Sequence, residues 1–177
     1  MYKRALQIHE TALGPNHPGT ATSLGNLASN YGAQGQYKAA EPLYQRALQI
    51  RETALGTDHP DTASSLNGLA LNYHEQGQYK EAEPLYKRAL QIRETALGPN
   101  HPDFANSLTN LAGLYASRGN FLRSVPLSAR ALAIYEKVHE TNHPDTLQTA
   151  KNYHYALQSL GRGHEATKLQ KKFKFNP

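Results

Sequence analysis

Apolar residues recur along this chain at helical spacing, and the helical patterns themselves recur. Leu24, Leu27, Ala28 and Tyr31 fall at i, i+3, i+4 and i+7, one face of a helix; Leu66, Leu69, Ala70 and Tyr73 follow, then Leu108, Leu111, Ala112 and Tyr115. Between them runs a second pattern. Ala40, Leu43, Tyr44, Ala47 and Leu48 return as Ala82, Leu85, Tyr86, Ala89 and Leu90. Small and large residues alternate on both faces, which lets two helices approach closely and interdigitate. Three sets of landmarks share one interval of 42 residues: the His-Pro pairs at 17, 59, 101 and 143, the glycines at 35, 77, 119 and 161, and the prolines at 42, 84 and 126.

The punctuation between the patterns fits a row of helix hairpins. "AQGQY", "EQGQY" and "SRGNF" put a glycine where a first helix turns into a second. "LGPNHPD" and "LGTDHPD" stop the second helix at glycine, then offer Asn or Asp as a cap and Pro near the next first turn. Asp61, Asp103 and Asp145 fall in that first turn, where the helix dipole favours negative charge. The expected helices are 1–13, 18–34, 37–55, 60–76, 79–97, 102–118, 121–139, 144–160 and 163–174. The expected fold class is all-α, an α-solenoid of antiparallel helix hairpins. Its units are a lone second helix at 1–14, full repeats at 15–56, 57–98 and 99–140, and a degenerate terminal repeat with cap at 141–177. Pro42, Pro84 and Pro126 sit about five residues into the second helices, where proline costs roughly 3 kcal/mol in a regular interior. Either those helices start later or they bend.

Composition narrows the chemistry. The chain has 177 residues, 38% hydrophobic, and a mean hydropathy of −0.68. Without cysteine there is no disulfide, no thiolate metal site and no thiol nucleophile, and a reducing, cytoplasmic setting is expected. No secretory h-region and no run of 18 apolar residues is present, so no membrane association is expected. The net charge of +5 and pI near 9.4 raise acidic partners and nucleic acid as candidates, yet part of the excess sits in the tail "KLQKKFKFNP". A nucleic-acid surface would want the remaining cations in one stripe with interleaved aromatics. Instead Lys3, Arg4, Arg46, Arg51, Lys87, Arg88 and Arg93 read as scattered over the outer face of second helices. The four repeated histidines cannot share a metal. Zinc ligands converge at about 2.0–2.1 Å, whereas equivalent repeat positions lie at least one helix spacing of roughly 8–10 Å apart. A structural role at the start of each first helix is expected, with no metal and no cofactor. No P-loop, G-x-S-x-G, H-E-x-x-H or dinucleotide fingerprint occurs, so no enzyme is expected.

The sets Leu24, Leu27, Ala28, Tyr31, Ala40, Tyr44, Ala47 and Leu66, Leu69, Ala70, Tyr73, Ala82, Tyr86, Ala89 resemble the tetratricopeptide repeat signature. The 42-residue period, with "YKEAEPLYKRALQIRE" and "LGPNHPD", resembles the long repeats of kinesin light chains and of many bacterial tetratricopeptide proteins. The near identity of 37–56 and 79–98 points to the bacterial style of array. The resemblance covers nearly the whole chain. It weakens where Ser124 and Ser128 replace the expected Ala and Tyr, and in the last repeat, where the tail is expected to act as a polar cap. The opening helix lacks its hairpin partner, which suggests a cut from a longer array and an exposed terminal helix through which copies could associate.

The resemblance also implies a concave groove lined by first helices. By register, the groove candidates are Asn26, Ser29, Asn67, Leu71, Asn106, Asn110, Lys151, Asn152 and Tyr155. An asparagine can donate and accept at once and so suits an extended peptide. The leading expectation is a non-catalytic protein–protein interaction scaffold that holds a peptide or partner segment in this groove. The alternative is a structural or self-associating segment of a larger signalling or motor-adaptor protein, with no ligand of its own. Nucleic-acid binding by the outer face ranks third.

Overall fold

The computed structural model describes residues 1–138 and 141–175. Among these, every regular element is an α-helix: α1 Tyr2–Leu13, α2 Pro18–Gly32, α3 Tyr37–Leu55, α4 Pro60–Glu75, α5 Tyr79–Leu97, α6 Pro102–Ser117, α7 Phe121–Val138, α8 Pro144–Ser159 and α9 Gly163–Phe173. Each expected helix is present, with ends that differ by at most two residues. The expected end of the seventh at 139, and the last two residues of the tail, lie outside the described residues. The chain forms two compact units, Met1–Ala96 and Leu97–Pro177.

The repeated histidine begins each first helix. His17, His59, His101 and His143 are the N-cap residues of α2, α4, α6 and α8, with proline following at the first helical position. Each ring accepts a hydrogen bond at Nδ1 from the backbone N–H two residues on, at 3.0, 3.1, 3.1 and 3.3 Å. The cap is therefore the histidine, not the Asn or Asp one residue earlier. An imidazole nitrogen can accept as a carboxylate does and satisfies one of the donors a helix start leaves open.

The turn from first to second helix closes as a Schellman motif. Gly77 N–H donates to the His74 carbonyl and Gln78 N–H to the Tyr73 carbonyl, both at 2.9 Å, with Gly77 at φ 73°. A Cβ on Gly77 would meet nothing within 4 Å, so its only penalty is the left-handed backbone. Gly77→Ala should cost about 1–2 kcal/mol. Gly25 lies inside α2, also in open space, and Gly25→Ala should gain about 0.5–1 kcal/mol. Opposite shifts of the urea midpoint are the expected result; shifts of one sign would contradict the turn geometry.

The second helices start where the pattern placed them and run on through Pro42, Pro84 and Pro126. A later start is thereby ruled out. In the first unit the core repeats with the sequence. Ala21, Leu24, Ala47 and Ile50 form one cluster, with Leu6 and Leu43 packed against it. The same positions one period on, Ala63, Leu66, Ala89 and Ile92, form the next, with Leu48 and Leu85. α3 and α4 run antiparallel. Tyr73, late in α4, donates its hydroxyl to Glu41 early in α3 at 3.0 Å, and Arg51, late in α3, donates to the Asp61 carbonyl early in α4 at 3.0 Å.

The second unit is closed by its own tail. Phe173 and Phe175 are 5% and 8% exposed and pack with Leu132 and Ala150. Lys174, at φ 52°, turns the chain between them. The expected polar cap is thus half wrong: the lysines face out, but the phenylalanines are core.

Candidate functional site

In the first unit α2 and α4 lie side by side. Asn26 and Ser29 on α2 are exposed, as is Leu71 on α4. Asn67 differs from the expectation: it is only 7% exposed, so its amide belongs to the packed flank of α4 rather than to an open face. In the second unit α6 and α8 meet, with the Thr109 and Thr149 hydroxyls 3.3 Å apart. Asn106 is exposed and accepts a hydrogen bond from the half-buried Asn110 amide at 3.3 Å. Asn152 accepts from Gln148 at 2.9 Å. Lys151 is exposed, and Tyr155 is 58% exposed with its ring edge-on to Phe121 at 5.7 Å. The candidates thus fall into two sets, one on each unit.

A cleft of about 380 Å³ in the first unit joins two of the groove candidates, Ser29 and Leu71, to residues such as Tyr37, Tyr44 and Asn72 that the groove register did not single out. Its walls are Tyr37 and Tyr44 from α3, Gly32 from α2, the neighbouring Ala33, and Leu71, Asn72 and Glu75 from α4, with Ser29 beside them. Tyr44 lies directly against Gly68; a Cβ there would come within 2.6 Å of the ring. Burial pushes the Tyr44 phenol up, against a hydrogen bond with Ser29 that lowers it. Asn72 is 3% exposed, and neither its amide oxygen nor its amide nitrogen has a hydrogen-bond partner. A buried polar group in that condition costs about 1–3 kcal/mol. One period later the same position holds Leu114, with no exposure at all. One period earlier it holds Asn30, so the signal in the sequence is Gly68, which stands where the other repeats have the asparagines at 26, 110 and 152.

The basic residues are not one outer stripe. Arg51 reaches back between helices and donates to Ser65 at 3.0 Å and Thr22 at 3.1 Å. Arg93, expected to be exposed, is 6% exposed and donates to Ser64 at 3.1 Å. Long apolar stems let both guanidinium groups lie along the neighbouring helices. Arg46 and Arg88 do lie nearer the surface, in ion pairs with Glu10 at 2.7 Å and Glu52 at 2.6 Å, one period apart. Among the described residues no cluster of three metal-ligating side chains is found, and no helix is long and apolar enough to cross a membrane.

The sequence profile of the tetratricopeptide repeat matches residues 1–53, 26–95, 61–125 and 103–172. No match is found among curated proteins. Among solved structures, a Podosopora anserina protein described as a kinesin light chain with nearly identical TPR-like repeats is 28% identical. The match covers 98% of this chain and 82% of that one, with a TM-score of 0.75. BtubC (BKLC) from P. vanneervenii is 24% identical over 99% of this chain and 73% of its own, with a TM-score of 0.84. The apo form of RapI is 18% identical over 96% and 61%, with a TM-score of 0.80. These last two share the fold, an all-α helical solenoid.

Proposed function

Because the chain belongs to the tetratricopeptide repeat family, with repeats of the kinesin-light-chain kind, we propose that it is a non-catalytic cytoplasmic scaffold that binds an extended peptide along its first helices. The observation that carries this reading is the set of small and carboxamide side chains, Asn26, Ser29, Asn106 and Asn110, kept outside the core while the neighbouring Leu and Ala positions of the same helices are buried. Such side chains meet a peptide backbone as both donor and acceptor and contribute roughly 0.5–1.5 kcal/mol per bond. Asn26→Ala combined with Ser29→Ala, both on α2, should therefore weaken a peptide ligand about ten- to hundredfold with the fold intact. Arg46→Ala, which removes a surface ion pair with Glu10 and a hydrogen bond to the Pro15 carbonyl, should leave affinity unchanged. Fluorescence anisotropy on a peptide selected from a random library checks both. Loss of binding in the Arg46 variant alone would move the partner to another face.

A second reading has its own observation. No residue of α1 is buried, and Tyr2, Ile8 and Leu13 are 44%, 54% and 45% exposed. Self-association through that helix would show in light scattering as a dimer that Ile8→Glu abolishes.

A further inference from the structure

We propose that the cleft between α2, α3 and α4 is a specificity pocket for a carboxamide side chain, a glutamine of the bound peptide. The proposal rests on the peptide-scaffold reading and names what that site selects. Asn72 is the reason. Its residue is 97% removed from solvent, it lines the cleft, and both atoms of its amide are without a partner. A ligand group that satisfies it must offer a donor and an acceptor side by side. Lysine and arginine only donate and would leave the Asn72 nitrogen unmatched. Aspartate and glutamate only accept, and they would meet Glu75 at the rim. A hydroxyl reaches one atom at a time. A carboxamide pairs with a carboxamide through two hydrogen bonds.

A peptide main chain carries side chains that hold it away from a cleft of about 380 Å³, whereas a glutamine amide can enter on its narrow stem. Both Asn72 atoms are sealed, so pairing requires the amide to turn about its last side-chain bond toward the cleft. The walls suit a flat, uncharged group on an apolar stem: Tyr37 and Tyr44 contribute aromatic side chains, and Gly32 and Ala33 are small. Gly68 belongs to the same device, because only glycine lets the Tyr44 ring sit against α4. The equivalent positions of the other repeats hold asparagine.

The test begins with a random nonapeptide library displayed on phage and selected on the full chain. Enrichment of glutamine at one peptide position is expected. Replacing that glutamine by leucine in the selected peptide should weaken binding to the wild-type protein about tenfold, the loss of a paired amide. Asn72→Leu should abolish this discrimination while raising the thermal midpoint, since leucine is the residue that fills the same position in the next repeat. Gly68→Asn should displace Tyr44 and lose discrimination without that rise. If peptides bind and lose affinity in the Asn26 and Ser29 variant, yet no carboxamide is enriched or Asn72→Leu discriminates as before, the pocket is refuted and the scaffold reading stands. If no peptide binds at all, the scaffold reading falls and the pocket with it.

Discussion

Ala82→Arg is expected to destabilise the protein by about 3–5 kcal/mol, the effect of an uncompensated charge forced into a packed helix contact. Ala82 has no exposed surface, and it lies in α5, whose Ala89 and Ile92 pack with Ala63 and Leu66 of α4 within the first unit. For a chain of this length the thermal midpoint should fall by about 10 °C. The informative comparison is Arg93→Ala. By residue type Arg93 belongs on the surface, where truncation changes stability by less than about 0.5 kcal/mol. In the fold it is buried and donates to Ser64, so its removal should cost about 1–2 kcal/mol, mostly through lost stem packing and the hydroxyl bond. The expected order is Ala82→Arg far below Arg93→Ala, itself clearly below wild type. Equal midpoints for the two variants would refute the packing register of α4 and α5.

The starts of the first helices and the turns into the second could be read because local rules and the repeat agree there. A histidine, a proline and a left-handed glycine return at one interval, and each of these fixes a start or a stop through its own backbone chemistry. Side-chain reach could not be read that way. Their place on second helices puts Arg51 and Arg93 on the outer face, yet a guanidinium on a long stem can cross a helix, and only the neighbouring serines and threonines show that it does. Register puts Asn67 in the groove, yet it is buried, because a residue at the edge of an apolar stripe is covered or open according to how the next helix leans. The open asparagines were visible as a register of polar residues on first helices. The pocket was not, since it is made by a missing Cβ at Gly68 and by one amide at a position where polarity looked like more of the same. A repeat protein hides such a site in its departures from the repeat. The departure here is Gly68, where the equivalent positions hold Asn26, Asn110 and Asn152; position 72 shares its asparagine with Asn30 and loses it only at Leu114.

Removing the two tail rings should have an effect as large as the charge in the core. Phe173 ends α9, and Phe175 follows a left-handed turn at Lys174 that brings the chain back over α7 and α8. Phe173 and Phe175 cover Leu132 and Ala150, with Leu147, Tyr153 and Leu169 packed around them, and the Phe175 ring stands edge-on to His154 at 5.4 Å. Phe173→Ala alone should cost about 3–5 kcal/mol, since a buried ring leaves both lost transfer energy and a cavity. The double variant with Phe175→Ala should cost more, but less than the sum, because the two rings line one space and share neighbours. Lys171→Ala, an exposed change one turn away, should be within about 0.5 kcal/mol of wild type. If the tail were only a polar cap, the phenylalanine and lysine variants would melt alike. Hydrogen exchange separates the cases further: the double variant should lose protection in α7, α8 and α9, whose shared core it opens, while α2 to α4 keep theirs because their clusters are built from other residues.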